Sequence, residues 1–299
     1  MPDLVMNNLL GIVEHAALTP MVAYRIDRDG HPYVPTGDGG VVLGVRLGDS
    51  VFATDGDHVA AGVTLVHPDP AARFGLTAFS CLGNEVVVRS GAAIGAVGRV
   101  TGKRGESGRV IVTFSDDVLA RMLPGDRVTV RSVGQGFQPA GMPAEVAVLN
   151  VDPALFDLLP IDGASGAATV TVSGVLPSAV CGNGIGRPAQ MWDVDLAVVA
   201  DSPDLGGADM RLGELWAVAD LDVRHNMGYR GGWMTVGVIC HGGSPQPGHG
   251  PGLVPLLTGP ADLLRPLVDP AAGPAISDEV LEALAAEGTA SATATGGDQ

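Results

Sequence analysis

Glu85-Val86-Val87-Val88-Arg89, Gly98-Arg99-Val100-Thr101-Gly102, Arg109-Val110-Ile111-Val112-Thr113-Phe114 and Arg127-Val128-Thr129-Val130-Arg131-Ser132-Val133 follow one another within residues 84–135, and their reading decides the fold. Each run is short and rich in β-branched residues, and the turns Gly91–Gly95 and Lys103–Gly108 separate the first three. A helical turn over Asp116–Met122 precedes the fourth. Four strands in this order predict a small SH3-like barrel.

Working outward, the upstream chain reads as further short strands. Tyr24–Tyr33 is strand, turn, strand around Asp29-Gly30, and Val41–Leu47, Gly62–His67 and Thr77–Phe79 are β-prone runs bracketed by Gly, Asp and Pro. Downstream, Ala144–Leu149 is a strand, and Asp152-Pro153 supplies an N-cap and N1 for a short helix ending near Leu159. A second β-rich unit follows from Ala168–Val175, Trp192–Val199, Glu214–Leu221 and Trp233–Cys240. The expected fold is mostly β (α+β), with the barrel embedded in a larger β-rich, two-part architecture and a few short helices. The N-terminal part spans 1–150 with the barrel at 84–135, the C-terminal part spans 151–275, and 276–299 is a helix begun by Ser277-Asp278-Glu279 and a disordered tail from Gly288.

Composition sets limits on function. The 299 residues are 46% hydrophobic and 17% charged with mean hydropathy +0.29, enough for a large core, while 44 Gly and 22 Pro do not suit a helical bundle. The net charge is −16, and Lys103 is the sole lysine among 17 basic residues. Nucleic-acid binding and polybasic membrane attachment both need clustered positive charge, so both are excluded. No apolar run is long enough to span a bilayer, and Met1-Pro2-Asp3-Leu4 lacks a basic leader region, so a cytoplasmic protein is expected. Three scattered cysteines, Cys81, Cys181 and Cys240, read as thiols in a reducing compartment rather than a disulfide framework.

No nucleophile elbow, phosphate loop or paired zinc-binding cysteine motif occurs, and Gly182-Asn183-Gly184-Ile185-Gly186 has the wrong spacing for a dinucleotide fingerprint. No nucleotide cofactor is expected. Asp57-His58 sets a carboxylate beside an imidazole, the pairing that fixes a tautomer for a general base or a metal-binding histidine; a polar turn is the plain alternative. His249 sits among five glycines and three prolines between His241 and Gly252, on a loop after a β-prone run, where binding groups are common. Arg224, Tyr229 and Arg230 form either a carboxylate clamp or a surface ion-pair network with Asp220 and Asp222, and Arg25 with Asp27 pose the same choice. Cys81 precedes Asn84 at a turn and is either a nucleophile or a buried inert thiol.

The hairpin Gly95-x-x-Gly98-x-Val100-x-Gly102-Lys103 is similar to the KOW-type barrels of translation proteins, although the net charge argues against an RNA-binding use here. A broader likeness comes from Arg25-Ile26-Asp27-Arg28-Asp29-Gly30, Gly48-Asp49-Ser50-Val51-Phe52, Asp57-His58-Val59, Cys81-Leu82-Gly83-Asn84, Val100-Thr101-Gly102-Lys103 and Gly248-His249-Gly250-Pro251-Gly252. Taken in order, they resemble the family catalogued as domain of unknown function 4438, from about residue 10 to about residue 270. The resemblance implies a compact, mostly β, cytoplasmic bacterial protein that forms homo-oligomers. It makes Asp57, His58, Cys81, Asn84, Lys103, Arg230 and His249 matching motif positions without giving their roles. The run His225-Asn226-Met227-Gly228-Tyr229-Arg230 departs from the family's Tyr-Gly-Arg-Gly-Tyr-Arg pattern.

These residues suggest an enzyme, a hydrolase or a lyase/cyclase, acting on a polar carboxylate-bearing metabolite. Asp57-His58 would be the general base and its orienter, and His249 a second acid/base or a metal ligand. Cys81 and Tyr229 are lesser catalytic candidates, and Arg25, Asp27, Asn84, Arg224 and Arg230 would bind substrate. A divalent metal is compatible with these groups, with no ligand set assigned. The alternative is a non-enzymatic homo-oligomeric binding or scaffold protein using the same histidines and arginines for subunit contacts.

Overall fold

The computed structural model describes residues 4–16, 23–163 and 166–295, with 287–295 described as helical backbone only. In its first half the strands are β1 (Asn7–Val13), β2 (Arg25–Ile26), β3 (Pro32–Tyr33), β4 (Val41–Val42), β5 (Gly62–Val66), β6 (Glu85–Val88), β7 (Val97–Arg104), β8 (Arg109–Thr113) and β9 (Arg127–Ser132). Among them β1, β9, β6, β7, β8 and β5 are hydrogen-bonded in that order, and β5 pairs back to β1, which closes a six-stranded barrel. The four strands read from residues 84–135 are β6 to β9. The other two come from the chain before them.

Alternation builds this barrel: Val86 and Val88 of β6 and Val128 and Val130 of β9 are fully buried, while their neighbours lean outward. One expected strand is instead helical. Asp69 caps Ala71 with Pro70 at the first position, and the turn runs on into α1 (Arg73–Phe79), which buries Leu76 and Thr77, so Thr77–Phe79 is helix. Helix α2 (Asp116–Leu119) lies between β8 and β9, and α3 (Pro153–Phe156) begins at Asp152, whose carboxylate accepts from Ala154 N at 3.0 Å.

The second half contains β10 (Ala147–Val148), β11 (Ile161–Asp162), β12 (Ala168–Val172), β13 (Gly174–Pro177), β14 (Val194–Asp195), β15 (Leu215–Asp222), β16 (Gly228–His241), β17 (Gly252–Pro260) and β18 (Leu264–Val268). Its main sheet has the order β10-β17-β16-β15-β13, with β14 also paired to β17; β11, β12 and β18 form a smaller one. The terminal helix α4 (Asp278–Thr295) buries Leu281 and Leu284 and continues into the stretch expected to be a tail; 296–299 lie outside the described residues.

Barrel and main sheet meet where β7 passes β16. A bulge shifts the β7–β8 register between Val100 and Gly102, and a side-chain carbon on Gly102 would stand 2.5 Å from Cys240 Cβ. Only glycine permits this approach. It delivers the end of β7, Lys103-Arg104, beside the end of β16, Cys240-His241, and one hydrophobic core runs across the seam from Val130 to Val238 and Val254.

Candidate functional site

The seam carries an unusual density of buried charge. His58 enters it on a loop zipped to the end of β16: His58 N donates to Gly243 O at 2.8 Å, and Gly242 N donates to Val59 O at 2.7 Å. The backbone at His58 has φ +52, a left-handed conformation that costs a non-glycine residue on the order of 1 kcal/mol or more. His58 Nδ1 lies 2.5 Å from Asp57 Oδ1, while Asp57 Oδ2 accepts from Arg25 Nη1 at 2.7 Å and Tyr33 Oη at 2.8 Å. Burial acts to raise the Asp57 carboxyl, but its hydrogen bond to His58 and that residue's charge outweigh this and hold it well below the usual carboxylate range. An ionised Asp57 accepts a hydrogen bond from Nδ1–H, which in the neutral ring leaves the Nε2 lone pair of His58 facing inward.

Two more groups meet that lone pair. His249 comes from the loop between β16 and β17, and Asp195 from β14. His249 Nδ1 is 3.1 Å from His58 Nε2 and 2.9 Å from Asp195 Oδ2, and the third side of the triangle, His58 Nε2 to Asp195 Oδ2, is 3.5 Å. Glu106 Oε2 stands 3.8 Å from His249 Nδ1. Asn183 Nδ2 donates to Glu106 Oε2 at 3.1 Å and reaches Asp195 Oδ2 at 3.5 Å, which fixes both acids. The hydrogen bond that His249 donates to Asp195 raises its imidazole above the ordinary value, and its histidine partners hold Asp195 low against the effect of burial.

Behind this triangle lies His241, fully buried, with Nδ1 3.0 Å from Gly242 O and Nε2 2.8 Å from Asp193 Oδ2 and 3.5 Å from Asp195 Oδ1. Burial works to lower this imidazole, and Asp193 more than offsets it, so it is raised. Arg104 is paired with Asp38 and Glu106, and Arg25 Nη2 adds a 2.6 Å bond to Asp38. Asp38, Asp57, Glu106, Asp193 and Asp195 thus face two guanidiniums, Arg25 and Arg104, while Arg109, also on Asp38, is matched by Glu14. Buried charge is tolerated when paired, so the excess acid must be met by cations, either protons on imidazoles or metal ions.

The triangle of His58, His249 and Asp195 has the dimensions for a metal ion. Nitrogen and oxygen ligands at about 2.1 Å from a zinc-like ion are separated by about 3.0–3.5 Å. Two of the three donors are also held by a neighbour: Asp57 holds His58 through its far nitrogen, as metal-binding histidines commonly are held, and Asn183 reaches Asp195 Oδ2 at 3.5 Å. The relative exposure of the side chains, 18% for His249 and 26% for Glu106 against 0% for His58, sets the solvent side of the site.

The structure brings Asp57, His58, His249 and Arg25 together and leaves the other candidates elsewhere. Cys81 is buried where desolvation pushes its thiol up to about 11; its N–H donates to Asn84 Oδ1 at 2.8 Å, and Asn84 Nδ2 bonds Val133 O and Asp152, tying β9 to the start of α3. Asp27 accepts from the N–H groups of Asp29 and His31 in an exposed turn. Arg224 and Arg230 both pair with Asp222 at 3.0 Å and lie over the Trp233 ring at 3.7 and 4.2 Å; Tyr229, largely exposed, donates to Cys181 O at 3.3 Å. Asp193, Asp195, Glu106, Asn183 and His241 were not among the candidates. Trp192-Asp193-Val194-Asp195 held a usable signal, two acids placed in a β-prone run.

Fold and site together define a two-part β protein with a histidine–carboxylate centre at the seam between its parts. The chain belongs to the family described as domain of unknown function (DUF4438): the N-terminal family model matches residues 24–157 and the C-terminal model residues 158–276. The crystal structure of TM1086 is similar, with a TM-score of 0.86 and 34% identity over 90% of this chain and 95% of that one. No curated protein sequence matches the chain. Among the described residues, no helix is long and apolar enough to cross a membrane.

Proposed function

We propose that this protein is an enzyme that holds one divalent cation on His58 Nε2, His249 Nδ1 and Asp195 Oδ2 and uses it in a hydrolase or lyase reaction on a small, polar, carboxylate-bearing metabolite. The observation that carries this reading is the convergence of those three donor atoms at 2.9–3.5 Å. A cation there polarises a carbonyl and makes water acidic near neutral pH. Asp57 holds the tautomer of His58, which makes His58 a ligand rather than the general base. Glu106, beside His249 and partly open to solvent, takes the proton-transfer role. A substrate would enter from the partly exposed His249 and Glu106 side, and a cation held by the three donors would bind its carboxylate, while Arg25 stays behind His58 as the partner of Asp57. The three free, buried cysteines support residence in a reducing cytoplasm.

The test is elemental analysis of the metal-free chain reloaded with zinc or manganese, wild type beside His58→Ala and His249→Ala. One tightly held ion in wild type, lost in both variants with size on a sizing column unchanged, is the expected result. No retained ion in wild type overturns the reading. A change of oligomeric size in His249→Ala would instead favour subunit contact as the role of this loop.

A further inference from the structure

We infer that the same centre has a second divalent-cation position, formed by His241 Nε2, Asp193 Oδ2 and Asp195 Oδ1, so that the carboxylate of Asp195 bridges two ions. This rests on the reading of the first position. The two oxygens of Asp195 face different histidines: Oδ2 lies in the triangle with His58 and His249, while Oδ1 is 3.5 Å from His241 Nε2. A carboxylate that presents one oxygen to each of two nitrogen donor sets is the usual bridge of paired metal sites, whose ions are about 3.5–4 Å apart. The rings of His58 and His241 are 5.0 Å apart between centroids, at an interplanar angle of 61°.

The second observation concerns the orientation of His241. Its Nδ1 is 3.0 Å from the Gly242 carbonyl, an acceptor, so Nδ1 carries a proton and the neutral ring has its lone pair on Nε2. That lone pair points at Asp193 Oδ2, 2.8 Å away, and at Asp195 Oδ1. Two carboxylate oxygens facing that nitrogen call for a cation there, either a proton on Nε2 or a metal ion in its place, and the bridging arrangement of Asp195 favours the metal ion. A backbone carbonyl holding the far nitrogen of a histidine is also the arrangement that turns the near nitrogen toward a metal. Cys240 Sγ lies with the Asp193 and His241 donor atoms inside a mutual 4.8 Å, but its thiol donates to Lys103 O at 3.5 Å and it is not counted in the ligand set. Asp193 is itself fixed, its Oδ1 accepting from Gly105 N at 3.0 Å. Arg104, the nearby guanidinium, is engaged by Asp38 and Glu106.

The test counts ions. Full-length protein is stripped with chelator, reloaded with zinc, desalted and analysed for metal per chain, in wild type, His241→Gln, Asp193→Asn and His249→Ala, with melting curves to establish folding. Two zinc ions per chain in wild type and one in either His241→Gln or Asp193→Asn are expected. One ion in wild type, lost in His249→Ala and kept in His241→Gln, overturns the second position while sparing the first; no ion in wild type overturns both. Wild-type protein loaded with two equivalents of Mn(II) gives a check independent of the variants: a spin-coupled paramagnetic resonance spectrum supports the bridge, and isolated six-line signals overturn it.

Discussion

The barrel interior and the seam beside it are buried to the same degree and built on opposite terms. Inside the barrel, Val86, Val88, Val110, Val112, Val128 and Val130 exclude water with side chains that ask nothing of their neighbours except shape. At the seam, Asp38, Asp57, His58, Arg104, Asp193, Asp195 and His241 are equally dry, and each depends on a named partner. Hydrophobic burial degrades gradually when an atom is lost, whereas a buried charge whose partner is removed is left with its full desolvation cost. One region therefore holds the fold, and the other uses the stability so provided to keep ionised groups out of water.

The largest effect should come from breaking the seam. Arg104→Met removes the guanidinium shared by Asp38 and Glu106 and leaves Asp38 with Arg25 and Arg109 alone, and a loss of about 3–5 kcal/mol in urea unfolding is expected. Val130→Ala in the barrel should cost less, about 1–3 kcal/mol, with no dependence on chelator or metal. If the two variants respond alike to added zinc, the contrast between the regions is lost.

Lys103 sharpens the comparison because it is a seam cation without a carboxylate partner. Its Nζ donates to Asn150 Oδ1 at 2.9 Å and Gln190 O at 2.7 Å, and full burial lowers its pKa to about 8. A basic group depressed on folding binds fewer protons in the folded chain than in the unfolded one across the interval between the two values, so its contribution to stability rises with pH from about 8 toward its ordinary 10.5. The difference in unfolding free energy between wild type and Lys103→Met should therefore shift in favour of wild type across that window, by up to about 3 kcal/mol. A difference flat in pH would show that Lys103 is not neutralised by burial.

Smaller effects test the support of the site. Asp57→Asn keeps the shape but weakens the hold on His58, and a 10–100-fold loss in zinc affinity by calorimetry is expected with the barrel intact. At the outer surface, the exposed pair Arg46–Asp116 should contribute less than about 1 kcal/mol, and that contribution should disappear in high salt.

What was legible in the sequence follows the same division. Val86, Val88, Val128 and Val130 alternate with exposed neighbours, so four barrel strands could be read locally. The closing strands could not: Leu9 pairs with Val130 and Val13 with Leu65, across stretches of chain that carry no local pairing signal. Asp57-His58 stood out as a carboxylate beside an imidazole, and His249 because glycines bracket it. Asp193 and Asp195 did not, since acids beside Val194 in a strand normally mark the solvent face, and here both are buried. Arg224 and Arg230 allowed two readings, a carboxylate clamp or an ion-pair network with Asp220 and Asp222, and the structure has both arginines paired with Asp222 over the Trp233 ring, a choice that spacing alone did not settle.

The spread of the site along the chain also sets its timetable during synthesis. Asp57 and His58 emerge early, Asp195 follows some way behind, and His249 arrives last, which at about 5–20 residues per second means an interval of roughly ten to forty seconds. The three donors of the His58, His249 and Asp195 triangle do not coexist before then. On the proposed metal-binding reading the full donor set exists only once His249 has been made, and the barrel, whose last strand ends at Ser132, can be complete well before that.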